Sequence, residues 1–105
     1  MASIVAARRG RILVVDDQRA NVEMMVELLR SRGYEVSGAY DGESALRKIA
    51  AQGFDLVISD IRMPGMDGYE LCQRLRDDPA TELLPVVLVT SVEDRDGHDE
   101  RVKGI

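Results

Sequence analysis

The sequence predicts an α/β fold, a doubly wound parallel sheet with helices on both faces. Three observations support this prediction: short apolar runs alternate with segments of helical periodicity, the runs are rich in β-branched residues, and the connections are short. Apolar runs of this kind are too short for helices and are typical of strands buried on both faces. A chain of 105 residues has room for one small domain with one core.

The individual elements follow from the spacing of apolar residues and from the glycines and prolines that separate them. Right-handed crossovers between the strands allow the flavodoxin-like strand order 2-1-3-4. The predicted order is a flexible tail at 1–10, a strand at 11–15, a helix at 18–32, a strand at 34–39, a helix at 42–52, a strand at 56–60, a helix at 69–76 and a strand at 86–90.

Each predicted helix has one apolar face. Gly33 is expected to end the first helix in the left-handed conformation, and Gly53 to end the second. The single cysteine, Cys72, lies on the apolar face of the third helix and is interpreted as a small buried hydrophobe. The predicted inward positions are Val22, Met25, Val26 and Leu29, then Ala45, Leu46, Ile49 and Ala50, and finally Leu71, Cys72 and Leu75.

The composition argues against several function classes. The formal net charge is −5, and the basic cluster Arg8, Arg9 and Arg11 is interpreted as part of a solvated tail, so direct nucleic-acid binding is not expected. A single cysteine cannot form an internal disulfide, which favours a cytoplasmic location. The sequence shows neither a signal peptide nor a membrane span, so no membrane partner is expected.

Two of the predicted strands end on carboxylates. Asp16 and Asp17 follow the first strand, and Asp60 ends the third. The carboxyl ends of adjacent parallel strands meet at one edge, so these side chains are expected to converge. Carboxylates that close repel one another unless a cation lies among them, and their oxygens suit Mg²⁺ or Mn²⁺. The alternatives are that one of the first pair caps the following helix and that Asp60 merely starts a turn.

The fourth predicted strand ends on hydroxyl groups, Thr90 and Ser91, at the same edge of the sheet. Beside three carboxylates, a hydroxyl there can bond a phosphoryl oxygen. The alternative is that one of the two caps the next helix.

Taken together, these segments resemble the receiver domain of two-component response regulators. The matching segments lie at 12–17, 55–60, 63–68 and 85–90, in the order and approximate spacing of that family. The resemblance covers the chain from Arg11 onward.

The resemblance implies a signalling phosphoacceptor rather than an enzyme, one that assists its own phosphorylation and dephosphorylation. A histidine kinase or a histidine phosphotransfer protein would supply a phosphoryl group to Asp60. Magnesium (or manganese) would be held by Asp17, Asp60 and the backbone carbonyl of Arg62, and through water by Asp16. The hydroxyl of Thr90 would turn toward the phosphoryl group and change the binding of an output partner, which the sequence does not identify.

One departure from the family lies at the end of the sequence. The family's fifth strand, which ends in a lysine that pairs with the phosphoryl group, and its fifth helix have no match, so 11–105 is interpreted as a C-terminally incomplete receiver domain. The guanidinium of Arg62 is a candidate substitute for that lysine, the alternative being a solvated surface arginine, and Ser91 is a further candidate phosphoryl contact. The uncovered edge of the fourth strand, or the uncovered face of the first helix, also predicts pairing with another chain, for example as a homodimer, and the alternative is a loosely packed state.

Three alternative functions remain open. A degenerate receiver that acts as a phosphorylation-independent interaction or dimerisation module fits the missing lysine. An FMN-binding protein of the same fold would need a Ser/Thr/Gly-rich phosphate loop where the sequence has Asp16 and Asp17. An aspartyl phosphotransferase or phosphatase would need a general acid two residues after its nucleophile, where Arg62 stands.

Overall fold

Four parallel strands and three helices alternate through residues 10–90, the part of the chain that the computed structural model describes. The tail at 1–9 and the predictions beyond Thr90, including that for Ser91, lie outside these residues. The elements are β1 (Arg11–Val15), α1 (Arg19–Ser31), β2 (Glu35–Ala39), α2 (Gly42–Ala51), β3 (Leu56–Asp60), α3 (Gly68–Asp77) and β4 (Val86–Val89).

The sheet has the strand order β2-β1-β3-β4, and every pairing is parallel. The predicted fold class and strand order are therefore confirmed. Central strand β1 sends alternate side chains to opposite faces of the sheet. Leu13 and Val15 pack under α2 and α3, whereas Ile12 and Val14 pack against the face that α1 covers. Both faces of β1 are buried from Ile12 onward, which explains why its last four residues are all apolar.

The helix ends follow the sequence in most places. Gly33 has a φ of 97°, and the N–H groups of Gly33 and Tyr34 return to the carbonyls of Arg30 and Leu29 at the end of α1. The carboxylate of Asp41 accepts a hydrogen bond of 2.7 Å from the N–H of Ser44 at the start of α2.

The end of α2 differs from the prediction. Gln52, with φ −140° and ψ 154°, already has extended backbone, so the chain leaves the helix before Gly53, and Gly53 does not adopt a positive φ. Ala50 is exposed instead of inward, because Ala45 and Ile49 define the buried stripe of this helix.

Edge strand β2 has two carbonyls that point away from β1. Hydrogen bonds from Glu35 and to Ala39 face β1, so the alternate residues Val36 and Gly38 face outward. The guanidinium of Arg30 donates to the Val36 carbonyl at 3.0 Å, and the ammonium of Lys48 donates to the Gly38 carbonyl. Both helices that flank this strand therefore contribute a cation to its free edge.

The amino-terminal edge of the sheet is held by Arg11. Its backbone N–H donates to a carboxylate oxygen of Asp55 at 2.8 Å. Its guanidinium pairs with Glu35 at 2.8 Å and donates to the carbonyl of Gly53 at 3.3 Å. One residue thus links β1, β2 and the turn that precedes β3.

No helix within residues 10–90 combines the length and the apolar character that a membrane span needs.

Candidate functional site

Three carboxylates meet at the carboxyl edge of the sheet. Val15, the last residue of β1, is paired with Ser59 of β3, so the next residues along each strand, Asp16 and Asp60, lie side by side. Each of Asp16, Asp17 and Asp60 offers a carboxylate oxygen, and these oxygens all lie within 4.8 Å of one another. The structure thus brings together the three side chains for which the strand pattern predicts convergence.

The three carboxylates differ in their access to solvent. Asp60 is 1% exposed and Asp16 is 8% exposed, whereas Asp17 is the most accessible of the three. Next to Asp60, the fully buried Ser59 donates its hydroxyl to the Asp60 carbonyl at 3.0 Å. Burial of charged groups so close together disfavours their ionised forms unless a cation compensates them.

Asp16 is held from two directions. One of its oxygens accepts the backbone N–H of Gln18 at 2.9 Å, and the other accepts the side-chain amide of Asn21 at 3.2 Å. Burial raises the pKa of Asp16 above its usual value, and the charge of Asp17 adds to this increase, while the two donors oppose it. The N-cap of α1 is Gln18, so neither aspartate is the capping residue.

The loop between β3 and α3 closes over the end of β3. Gly65 turns the chain with a φ of 74°, and the N–H of Gly68 returns to the carbonyl of Ile61 at 2.8 Å. A Cβ at Gly68 would lie 2.4 Å from the carbonyl oxygen of Asp60. Only a glycine lets α3 begin so close to the backbone of the central aspartate.

Methionines and an aspartate fix the rest of this loop. The side chains of Met63 and Met66 are buried in the core under α2 and α3. The carboxylate of Asp67 accepts the N–H of Glu70 at 2.8 Å and so caps α3. The backbone around Asp60 is therefore anchored on both sides.

The other predicted site residues lie around this cluster. Thr90 follows β4, whose last residue, Val89, is paired with Asp60, so Thr90 is at the same edge of the sheet and is exposed. Arg62 lies two residues after Asp60 with an exposed side chain.

Sequence reasoning missed the residue that holds Asp16. The sequence does not single out Asn21, because its position in the first turn of a helix does not reveal which way its amide points. The available signal was a polar residue shortly after an acidic pair. Gly68 lies between a predicted strand and a predicted helix, and its close approach to the Asp60 backbone is visible only in the folded structure.

The donor set fits a divalent cation. The cluster offers hard carboxylate oxygens, which Mg²⁺ and Mn²⁺ prefer. A cation among them would offset the repulsion that burial strengthens at Asp16 and Asp60.

Comparisons with known proteins show which family the chain resembles. The family model described as response regulator receiver domain matches residues 12–103. Response regulator PleD of Caulobacter vibrioides is 46% identical over 96 residues, which cover 91% of this chain and 20% of PleD. Sensor histidine kinase RcsC of Salmonella typhimurium is 46% identical over 80 residues, which cover 76% of this chain and 8% of RcsC. The chain therefore spans a fifth or less of these two relatives.

Solved structures show the same fold. The N-terminal domain of a response regulator receiver protein from Methanoculleus marisnigri superposes with a TM-score of 0.75 at 37% identity. That match covers 86% of this chain and 76% of the other.

Proposed function

Because this chain belongs to the response regulator receiver domain family, we propose that it accepts a phosphoryl group on Asp60 within a two-component phosphorelay. The observation that carries this proposal is the position of Asp60 at the end of β3, where it lies beside Asp16 and Asp17 with oxygens within 4.8 Å. Asp55 at the other end of the same strand is exposed and has no part in this cluster.

The proposed reaction is phosphoryl transfer from a phosphohistidine. A carboxylate oxygen of Asp60 attacks the phosphorus carried by a histidine kinase or a histidine phosphotransfer protein. The new P–O bond forms as the P–N bond breaks, and the imidazole leaves with the bonding electrons and takes up a proton from solvent. The product is an acyl phosphate on Asp60, and the role of the chain is to position its carboxylates and to balance charge.

The residues of the cluster are proposed to hold one Mg²⁺ or Mn²⁺. Asp17 and Asp60 would bind it directly, together with the backbone carbonyl of Arg62, and Asp16 through water. When bound, the cation neutralises charge that gathers between the carboxylates and the phosphoryl oxygens. Asp17, the most accessible carboxylate, lies where a solvated ion arrives.

The output is proposed to depend on Thr90. In this proposal its hydroxyl turns toward a phosphoryl group on Asp60, and its exposed position just beyond β4, whose Val89 is paired with Asp60, supports that role. That contact would favour one of two conformations and so change the surface offered to an output partner. The exposed Arg62 guanidinium is the candidate for a second phosphoryl contact, since arginine pairs well with phosphate.

Acetyl phosphate with Mg²⁺ tests the acceptor. The parent should gain one phosphoryl group in an intact-mass spectrum, and borohydride trapping should locate it at Asp60. Asp60→Asn should remain unmodified, while the matched control Asp55→Asn at the other end of β3 should label like the parent. Labelling of Asp60→Asn to the parent level would show that the acceptor is another residue.

A further inference from the structure

Asn21 is the residue in the first turn of α1 whose side chain reaches back to the acidic cluster. Its amide nitrogen donates to one oxygen of Asp16 at 3.2 Å, and the N–H of Gln18 donates to the other at 2.9 Å. We propose that Asn21 is a positioning residue that sets the orientation of the Asp16 carboxylate for cation binding. This inference rests on the proposed function, because it assumes that Asp16 serves a metal.

The contact is not an ordinary helix cap. A capping side chain bonds to backbone N–H groups of the first turn, but the N-cap Gln18 makes no such bond here. The amide of Asn21 instead bonds to a carboxylate that is itself 8% exposed and a member of the cluster. The start of α1 is therefore built around the orientation of Asp16.

The orientation of the Asp16 carboxylate matters because Asp17 and Asp60 repel it. Without a cation, Asp16 would reduce its free energy by turning away from Asp17 and Asp60, since like charges repel. Donors on both oxygens oppose that rotation and leave the carboxylate aimed at the cluster before a cation arrives. Partners of this kind behind a metal ligand commonly change metal affinity by about 10- to 100-fold when they are removed.

The test titrates the full chain with Mn²⁺ alone, using electron paramagnetic resonance to count free ion. Asn21→Ala should weaken Mn²⁺ binding by about 10-fold, the lower end of that range, since in the proposed site Asp16 would contact the ion through water. Gln18→Ala is the matched control and should bind like the parent, because Gln18 reaches Asp16 through its backbone. Asn21→Ser, which keeps a short donor, should recover part of the loss.

A double-mutant cycle separates positioning from general damage to the fold. If Asn21 acts through Asp16, then Asn21→Ala should have no further effect on Mn²⁺ binding in the Asp16→Ala background. An equal loss in both backgrounds would overturn the inference, as would parent-like binding by Asn21→Ala. Melting curves in EDTA confirm that each variant used in the cycle is folded.

Asp17→Ala distinguishes this inference from the proposed function. If Asp17→Ala binds Mn²⁺ as well as the parent, the metal site itself is misassigned and both proposals fail. If Asp17→Ala abolishes binding but Asn21→Ala leaves it unchanged, the site stands and only the role of Asn21 is wrong.

Discussion

Strand β3 has an aspartate at each end, and the two lie in different surroundings. Asp55, just before the strand, accepts the N–H of Arg11 at 2.8 Å, and the guanidinium of Arg11 pairs with nearby Glu35. Asp60, at the carboxyl end, is buried within a group of three carboxylates. The acidic groups at the amino edge pair with Arg11, whereas the carboxylates at the carboxyl edge lie close to one another, although Asp16 also accepts two hydrogen bonds.

The two ends of β3 therefore differ in role: the amino end contributes to the stability of the sheet, and the carboxyl end holds the candidate site. Hydrogen bonds at the amino edge join β1, β2 and the turn before β3, and they form without a ligand. At the carboxyl edge, ionised carboxylates that lie so close together repel one another. Packing of the surrounding fold must hold them there, or a bound cation must neutralise their charge. The two edges should therefore respond differently to substitution, metal and pH.

The largest effect is expected at Gly68, the glycine at the carboxyl edge. Gly68→Ala places a Cβ 2.4 Å from the carbonyl oxygen of Asp60 and 2.9 Å from Cα of Ile61, both backbone atoms that cannot move aside cheaply. We expect a loss of about 3 kcal/mol in the free energy of unfolding, at the upper end for overpacking. Urea denaturation measures it.

Gly53→Ala at the amino edge is the control for that substitution. A Cβ there meets nothing within 4 Å, and the backbone of Gly53 has no positive φ. We expect its free energy of unfolding to stay within about 0.5 kcal/mol of the parent. Comparable losses at both glycines would show that the carboxyl edge is not the more tightly packed of the two.

Magnesium should stabilise the fold through the carboxyl edge alone. At a concentration 100 times its dissociation constant, a ligand specific for the native state adds about 2.7 kcal/mol to the free energy of unfolding. We expect a gain of that size for the parent and for Asp55→Asn, and none for Asp17→Ala. Melting curves with and without Mg²⁺ measure it, and a gain retained by Asp17→Ala would contradict the proposed ligand set.

Neutralising one aspartate at each edge should change the free energy of unfolding in opposite directions when EDTA keeps the protein metal-free. Because burial raises the pKa of Asp16 in the folded protein, the folded state holds this proton more tightly than the unfolded state does. The contribution of Asp16 to the free energy of unfolding is therefore fully present below its unfolded pKa and is lost as the pH rises through its folded pKa. Asp16→Asn should therefore stabilise the metal-free protein at pH 7 by on the order of 1 kcal/mol, with little gain at pH 3. Urea denaturation at the two pH values measures this.

Asp55→Asn is the partner experiment. It weakens the acceptor for the N–H of Arg11, and should lower the free energy of unfolding by about 0.5–1 kcal/mol at pH 7. If both substitutions destabilise the protein, then the charge of Asp16 in the metal-free protein is stabilised by its hydrogen bonds as fully as the charge of Asp55 is.

The smallest effect is expected at the Arg11–Glu35 ion pair. The side chains of these residues are 38% and 64% exposed, and pairs of this kind contribute about 0.2–1 kcal/mol at most. Glu35→Gln should cost about 0.5 kcal/mol or less, a loss that shrinks in high salt, and should leave Mn²⁺ affinity unchanged. A change in metal affinity would mean that the two edges are coupled.

The sequence predicts the architecture well because short, continuous apolar runs mark the central strands and apolar residues at helical spacing mark the helices. The apolar runs at Ile12–Val15 and around Val57 could only be buried strands, and their order along the chain, together with right-handed crossovers, leads to the observed sheet. The convergence of Asp16, Asp17 and Asp60 follows from that sheet, because parallel strands end at one edge.

Details that depend on direction could not be predicted. The exposed position of Ala50 depends on how far α2 is rotated about its axis, and the early end of that helix depends on the backbone of Gln52. The contact from Asn21 to Asp16 depends on one rotamer and on where α1 begins. Such features arise from tertiary packing, which periodicity does not encode.

The cations at the free edge of β2 have a consequence for how the sheet can grow. A strand from another molecule that docked there would need the carbonyls of Val36 and Gly38, and Arg30 and Lys48 already occupy both. Charged groups at an edge are a common protection against such intermolecular pairing and the aggregation that follows. Within residues 10–90 the other edge, β4, carries no comparable cation on its backbone, and Val87 and Val89 are 45% and 36% exposed there. Among the strands of residues 10–90, β2 is therefore the edge that its own cations protect against such pairing.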